Sequence, residues 1–215
     1  MAPEREGPKS QTSAADFLPD KSTCEDLRAA AQSCKGCELY RDATQTVFGA
    51  GSEHASIMFV GEQPGDMEDR QGEPFVGPAG RLLDKALDEA GIPRRETYVT
   101  NAVKHFKFIQ RGKRRLHQKP TIRQVMACRP WLEAEIEVIH PRVIVALGST
   151  AAHAVLGRAM RVNQERGRFI PLGSREAFIT VHPSAILRLQ ESSERQLEFD
   201  RLVDDMKTIR RSAMK

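Results

Sequence analysis

The stretch Ser56-Ile-Met-Phe-Val60, followed by Gly61-Glu-Gln-Pro-Gly65, decides the fold class of this chain. A short apolar run that ends at a cluster of turn residues is typical of a buried strand. Similar runs recur at 98–103, 143–147, 169–172 and 177–181, with helical patterns between several of them. Strands that alternate with helices predict an α/β fold, here a three-layer α/β/α sandwich around a central, mainly parallel four-stranded sheet.

Polar loops leave the carboxyl ends of three predicted strands. They are Gly61–Gly65, Asn101–His105 and His182–Ser184. Ligands of parallel α/β sheets bind outside the carboxyl ends of the strands. We therefore expect these three loops to meet at one edge of the sheet and to form the functional site.

Helices are predicted over 22–32, 81–90, 121–139 and 148–156, and Pro130 is expected to disturb the third of them. Residues 1–20 are rich in Pro, Ser, Glu and Lys and are predicted to be a disordered lead-in. Residues 21–215 are predicted to form a single domain.

The composition and charge of the chain permit a nucleic acid partner and give no sign of a membrane protein. The chain has 215 residues and a formal net charge of +4, a modest excess that permits nucleic acid as a partner. No apolar run approaches the roughly 20 residues that span a bilayer, and the N-terminus lacks the apolar segment of a signal peptide. We therefore expect no membrane association and a cytoplasmic location. A monomer is also expected, although the sequence does not reveal the oligomeric state. Five cations crowd one stretch: Arg111, Lys113, Arg114, Arg115 and Lys119.

The cysteines suggest a metal site. Cys34 and Cys37 have the spacing of a ligand pair, although a redox pair or two unrelated cysteines have the same spacing. Cys128 supplies a third thiol, and Cys24 and His105 both remain candidates for a fourth ligand. Such a donor set suits zinc as well as an iron–sulfur cluster.

Several segments together resemble the motifs of the family-four uracil-DNA glycosylases. They are 61–65 with 74–80, Thr100-Asn-Ala-Val-Lys104 and His182-Pro-Ser184. Two departures resemble the UdgX branch, whose members stay covalently attached to the DNA they process. His105 stands where the family usually has cysteine, and Lys113-Arg-Arg-Leu-His117 is similar to the basic insertion of that branch. Gln63 agrees with it as well.

The resemblance implies a cofactor and a set of binding residues. A [4Fe–4S] cluster would be held by Cys34, Cys37, His105 and Cys128, which leaves Cys24 as a spare thiol. Phe75 would stack on uracil, Asn101 would bind its amide edge and His182 would donate to a uracil oxygen. The rest of the pocket would come from Gln63, Gly65 and Asp66. The implied contacts to DNA phosphates are Gly77, Gly80, Lys113, Arg114, Arg115, Ser184 and Arg188.

The resemblance also implies the reaction. His117 would attack the sugar as uracil leaves, and Glu62 would accept its proton. We expect Arg111, Lys113, Arg114 and Arg115 to keep His117 neutral. The partner would be uracil-containing DNA, with the uracil in a single strand or flipped out of a duplex. The alternatives are an ordinary family-four enzyme that turns over and a non-catalytic nucleic-acid-binding module with a structural metal. A zinc-dependent hydrolase ranks lowest, because the candidate ligands leave no open metal position.

Overall fold

A six-stranded sheet forms the centre of the computed structural model, which describes residues 12–20 and 23–214. The strands in chain order are β1 (Ala50–Gly51), β2 (Ile57–Gly61), β3 (Thr97–Asn101), β4 (Phe108–Arg111), β5 (Arg114–His117), β6 (Val143–Leu147), β7 (Phe169–Leu172) and β8 (Arg175–Thr180). The sheet has the order β1-β3-β2-β6-β8-β7, and its four inner strands are parallel. The predicted four parallel strands are thus present, but the count of four is wrong for the whole sheet. The antiparallel strands β1 and β7 extend it at the two edges.

Helices cover both faces of the sheet. They are α1 (Cys24–Ala31), α2 (Asp66–Gln71), α3 (Pro78–Ala90), α4 (Ile122–Ile139), α5 (Ser149–Leu156), α6 (Val162–Glu165), α7 (Pro183–Leu187) and α8 (Ser192–Ala213). Thr121 caps α4 through a capping box with Gln124, and the helix continues past Pro130. Among the described residues, no helix is long and apolar enough to cross a membrane.

The alternation of side chains along the buried strands divides the core into two halves. Met58 and Val60 join one apolar cluster with α1, α4 and α5, whereas Ile57 and Phe59 join the other with α3 and α8. Successive side chains of a strand point to opposite faces, so the strands need to be apolar throughout. The result is the predicted arrangement of helices on both sides of a sheet.

The N-terminal segment corrects one prediction. Ala14–Phe17 forms a turn of 3-10 helix that Ser13 and Asp16 cap reciprocally, and Ala14 is completely buried. The prediction of disorder is therefore wrong for this part of 1–20, because the local cap and the buried alanine anchor the turn. Residues 1–11 lie outside the described residues.

The basic stretch predicted as a loop is a β-hairpin. β4 pairs with β5 in antiparallel register, with Phe108 opposite His117 and Arg111 opposite Arg114. Gly112 and Lys113 form its turn. The strands were not predicted because charged residues interrupt the alternation of apolar and polar residues in this stretch. The hairpin places His117 at its base, next to the sheet, and leaves Lys113 and Arg114 exposed at its tip.

Candidate active site

The loops at the carboxyl edge of the sheet are tied to one another through the backbone. The amide N–H of Ala102 donates to Gly61 (2.9 Å), and that of Val103 donates to Glu62 (3.1 Å). The amide N–H of Gly148 donates to Thr180 (2.9 Å). The predicted convergence is confirmed. The loop after β6 also joins this edge, and the position of Gly148 directly after a predicted strand was the signal that could have revealed it.

A cleft of about 820 Å³ opens at this edge. Ten of the predicted site residues line it: Glu62, Gln63, Gly65, Asp66, Phe75, Asn101, His117, His182, Ser184 and Arg188. Several other residues that line the cleft have no predicted role, among them Met67, Glu68, Lys119, Ser149, Asn163 and Leu187. Of these, Lys119 belongs to the noted cluster of cations and Ser149 follows a predicted strand, whereas the rest carried no signal.

Asn101 and Phe75 form one wall of the cleft, with Gly61 between them. A Cβ atom on Gly61 would lie 2.3 Å from Oδ1 of Asn101 and 2.8 Å from the Phe75 ring, so only glycine fits there. The Asn101 side chain is 3% exposed, and no hydrogen bond joins its amide to any described residue. Because this amide borders the cleft and has both a donor and an acceptor to offer, the geometry is suited to a polar ligand.

A buried ion pair holds the backbone of Asn101. Nζ of Lys104 donates to the Asn101 carbonyl (2.9 Å) and contacts Oε2 of Glu135 (2.5 Å). Both charged side chains are 0% exposed. Thr100 and Tyr98 also donate to this carboxylate, and burial together with the Glu135 charge raises the pKa of Tyr98. The network places the amide of Asn101 rigidly at the end of β3.

Phe75 adopts an unusual backbone conformation. Its φ is +60°, in the left-handed region that residues other than glycine rarely adopt. A Cβ atom on Gly80 would lie 1.7 Å from the Phe75 carbonyl oxygen, so glycine at the start of α3 is what permits this approach. The Phe75 ring lies 6.3 Å from the His182 ring at an interplanar angle of 29°. The conformation presents a flat apolar face beside His182.

Gly77 and Gly80, whose phosphate contacts stay a prediction, have structural contacts of their own. Neither lines the cleft. The N–H of Gly77 donates to Oε1 of the buried Glu68 (2.8 Å), and Oε2 of the same carboxylate accepts from Gly65 (3.1 Å). Glu68 thus joins the two glycine-rich loops, and the amide of Gly77 is already used within the protein.

The hydrogen bonds of His182 determine its tautomer. Nδ1 accepts from the backbone N–H of Ser184 (3.1 Å), so the ring proton of the neutral form is on Nε2. Oγ of Ser184 also contacts Nδ1 (2.8 Å) and accepts from Arg188 (3.4 Å). Burial, with smaller contributions from Arg188 and His117, lowers the pKa of His182 to about 4. At neutral pH, His182 is therefore a neutral donor in the cleft.

His117 and Glu62 face each other across the same cleft. Nε2 of His117 lies 3.6 Å from Oε1 of Glu62, and the histidine side chain is 45% exposed. Partial burial lowers the pKa of His117; the Glu62 charge opposes this effect and Arg188 adds to it. The expectation that Arg111, Lys113, Arg114 and Arg115 keep His117 neutral is therefore wrong. The cation that acts on His117 is Arg188, which comes from the end of α7.

The sequence profile of the uracil DNA glycosylase superfamily matches residues 48–207. The chain belongs to the uracil-DNA glycosylase superfamily. It is 39% identical over 171 residues to the type-4 uracil-DNA glycosylase of Thermotoga maritima, which covers 79% of this chain and 85% of that protein. The type-4 uracil-DNA glycosylase of Archaeoglobus fulgidus is 34% identical over 187 residues, or 83% of this chain and 90% of its own. The corresponding protein of Sulfurisphaera tokodaii is 34% identical over 172 residues, 76% and 75% respectively.

Gln63 lines the cleft and also forms hydrogen bonds to the residues at both ends of the hairpin. Its Nε2 donates to the carbonyls of Lys107 (3.1 Å) and Gln118 (3.0 Å), and its Oε1 accepts from the N–H of Lys107 (3.1 Å). These two residues flank the hairpin on either side. Gln63 therefore clamps the base of the hairpin that carries His117.

Arg115 binds acidic and aromatic side chains within the protein. Its guanidinium pairs with Asp66 and with Asp69 (2.6 Å to Oδ2), and it lies over the rings of Phe106 and Phe108. The side chain is only 10% exposed. The buried Asp69 carboxylate and two aromatic faces thus hold this cation within the protein, and its predicted phosphate contact stays a prediction.

The predicted metal ligands lie away from the cleft. None of Cys34, Cys37 and Cys128 forms a disulfide. Burial raises the pKa of Cys128 to about 12. Among residues 12–20 and 23–214, no group of three or more His, Cys, Asp or Glu is arranged to hold a metal ion.

The donor chemistry of this region nevertheless fits a cluster. Trp131 donates from Nε1 to Sγ of Cys34 (3.2 Å), and the N–H of Lys104 donates to Sγ of Cys128 (3.3 Å). Thr46 gives its hydroxyl proton to Ala31, so its oxygen accepts from Nε2 of His105. The Nδ1 atom of His105 then keeps its lone pair. Ligands of an iron–sulfur cluster bind different irons, so they need not converge on one point as around a single ion.

Proposed function

We propose that this protein excises uracil from DNA and captures the resulting sugar covalently through His117. Type-4 uracil-DNA glycosylases are its relatives over about four fifths of the chain, which supports the first half. The second half depends on one observation: His117 and Glu62 lie 3.6 Å apart in the same cleft as Asn101 and His182. A nucleophile with an adjacent base beside a base-binding pocket is the arrangement that covalent capture requires.

Recognition of uracil is assigned to Asn101 and Phe75. The uracil leaves the stack, or is already single-stranded, and enters the cleft. The Asn101 amide donates to one polar atom of the uracil edge and accepts from another. Cytosine reverses this pattern and would leave buried polar groups unpaired. Phe75 supplies the flat surface on which the base stacks.

Departure of uracil is assigned to His182. The bond between N1 of uracil and C1′ of the sugar breaks, and the electron pair leaves with uracil as an anion. Nε2–H of His182 donates to the uracil oxygen on which negative charge develops. Because this histidine is neutral and its tautomer is held by Ser184, the donor is in place before the reaction begins.

Capture of the sugar is assigned to His117. A ring nitrogen of His117 gives its lone pair to C1′, and the imidazole becomes positively charged. It returns to neutrality when the ring N–H facing Glu62 passes its proton to that carboxylate. The uracil anion takes a proton from water. The new carbon–nitrogen bond has no good leaving group, so each molecule reacts once.

The path of the DNA backbone is assigned to cations around the cleft. Arg188 and Lys119 line its wall, and Lys113 and Arg114 project from the hairpin tip. These four can neutralise phosphates on either side of a flipped or single-stranded nucleotide. Ser184, which lines the same cleft and whose hydroxyl contacts His182, is a further contact to this strand in the proposal.

A [4Fe–4S] cluster held by Cys34, Cys37, His105 and Cys128 belongs to this proposal. The cluster would bind the N-terminal region, the loop after β3 and helix α4 together, so its contribution is structural. Cys24 stays outside the ligand set, because its sulfur contacts the hydroxyl of Tyr98 (3.5 Å) and Arg28.

The test of covalent capture is a denaturing gel with labelled, uracil-containing single-stranded DNA, together with a measurement of free uracil. The wild-type protein is expected to release uracil and to form a slowly migrating band that survives heat and detergent. His117→Ser should lose the band and still release uracil, since Asn101 and His182 remain. Release without a band in the wild type would identify an ordinary enzyme that turns over. Absence of both would identify a non-catalytic DNA-binding module.

The cluster has a separate test with a matched pair of cysteine variants. The purified protein is expected to be brown, to absorb broadly in the visible range and to contain iron. Cys128→Ala should lose the colour and iron, whereas Cys24→Ser should keep both, although both thiols are buried. A colourless protein with stoichiometric zinc would contradict the cluster.

A further inference from the structure

Thr150 contacts the carboxylate that faces His117. This residue follows β6 and lies in the first turn of α5, and it is 4% exposed. Its hydroxyl donates to Oε2 of Glu62 at 2.5 Å, while Oε1 of the same carboxylate faces His117. The two oxygens of Glu62 thus have different partners, one fixed within the protein and one in the cleft.

The hydroxyl of Thr150 makes its hydrogen bond outside its own helix. Thr150 is the second residue of α5, two positions beyond the N-cap, so its hydroxyl is not placed to cap the helix. The N-cap of α5 is Gly148, and no side-chain capping bond is present. The Thr150 hydroxyl instead reaches across to the loop that follows β2. This joins the ends of two neighbouring parallel strands at the point where Glu62 meets His117.

We infer that Thr150 is a positioning residue that orients Glu62 for proton transfer from His117. A glutamate has three rotatable side-chain bonds, and the Glu62 side chain is 23% exposed, so without a second contact it can turn toward solvent. A donor on Oε2 fixes the carboxylate plane and directs Oε1 at the imidazole. This inference rests on the proposed function, because it assigns Thr150 to the capture step alone.

Loss of the Thr150 hydroxyl should change the partition between two products. After uracil leaves, the sugar is captured either by His117 or by water. Thr150→Val keeps the shape of the side chain and removes the donor. The ratio of covalent adduct to free abasic DNA should fall about tenfold, a part of the roughly 10²- to 10⁴-fold that a positioned base contributes. The rate of uracil release and the affinity for uracil-free DNA should stay within about twofold of wild type.

Thr150→Ser is the matched control. It restores the hydroxyl and should return the partition ratio to within about twofold of wild type. A loss of packing would instead lower release, affinity and adduct together, and would not be rescued by the smaller serine. If Thr150→Val does not fold, Thr150→Ala serves in its place. An unchanged ratio in the variant that folds would overturn the inference.

A double-mutant cycle separates action through Glu62 from action by another route. Glu62→Gln alone should lower the partition ratio, and adding Thr150→Val to it should lower the ratio no further. Additive losses would show that Thr150 does not work through Glu62. The wild type in the same gel distinguishes the two proposals: without a wild-type adduct the proposed function fails, whereas a wild-type adduct with no effect of Thr150→Val contradicts this inference alone.

Discussion

The pocket wall and the hairpin hold the histidines of the cleft by different means. Asn101 ends β3, His182 follows β8, and Phe75 lies between α2 and α3 in the connection that follows β2. Backbone hydrogen bonds join the end of β2 to that of β3 and the end of β6 to that of β8. His117 lies on a two-stranded hairpin outside the sheet, which is held by the side chains of Gln63 and Arg115.

This difference separates the two halves of the proposed reaction. Recognition and departure of uracil depend on groups that the sheet itself positions. Capture of the sugar depends on an added element whose position relies on a few side-chain contacts. Changes to the wall should therefore affect both products, whereas changes to the clamps of the hairpin should affect the adduct more than uracil release.

The largest effect is expected from Asn101→Asp. The substitution replaces the donor of the amide with an oxygen, so a buried acceptor would face an acceptor of uracil. Uracil release should fall by about 10³-fold or more, and the adduct should fall with it. Single-turnover release of free uracil measures the effect. Asn163→Asp adds the same charge at the cleft and should cost far less; equal losses in the two variants would show that charge alone is responsible.

Gln63→Ala should separate the two products. The change removes three hydrogen bonds at the base of the hairpin and no group that faces the Asn101 amide. We expect adduct formation to slow about tenfold while uracil release changes by about twofold or less. Parallel time courses of both products check this. A proportional loss of release and adduct would mean that Gln63 belongs to the base pocket.

Arg115→Ala should lower stability, whereas Lys113→Ala should weaken DNA binding. Loss of Arg115 leaves the buried Asp69 carboxylate without its cation and should reduce the free energy of unfolding by about 3 kcal/mol. Loss of the exposed Lys113 should leave stability unchanged and reduce the slope of log affinity against log salt by about 0.7. Denaturant titrations and salt-dependent binding to single-stranded DNA measure both. If Arg115→Ala kept its stability but bound DNA with a reduced salt dependence, Arg115 would be a contact to DNA.

The smallest effect is expected from a change of pH on the rate of uracil release. His182 is active as a neutral donor, and its pKa is lowered to about 4, so protonation removes activity only as the pH falls through this value. Between pH 7.5 and 5.5, uracil release should fall by less than about twofold. A histidine with the ordinary pKa of about 6.5 would lose roughly tenfold over the same interval. A tenfold loss in single-turnover release, with the fold intact by circular dichroism, would contradict the burial of His182.

The sequence by itself determined the α/β class, the four parallel strands and the edge at which Asn101, His182 and the loop after β2 meet. These follow from local patterns: apolar runs that end at turn residues indicate buried strands, and parallel connection brings the carboxyl ends of such strands to one edge. The edge strand β1 has only two residues and therefore no pattern to detect.

Only the tertiary structure decided which cation stands beside His117 and which side chains hold the hairpin. Arg115 lies two positions before His117 in the sequence, but its side chain binds Asp66 and Asp69. Arg188 is distant in sequence, yet its charge lowers the pKa of the His117 imidazole. The contact of Thr150 with Glu62 joins residues on separate loops in the same way. Charge and hydrogen bonding act over a few ångströms in space, and periodicity along a chain carries no information about those distances.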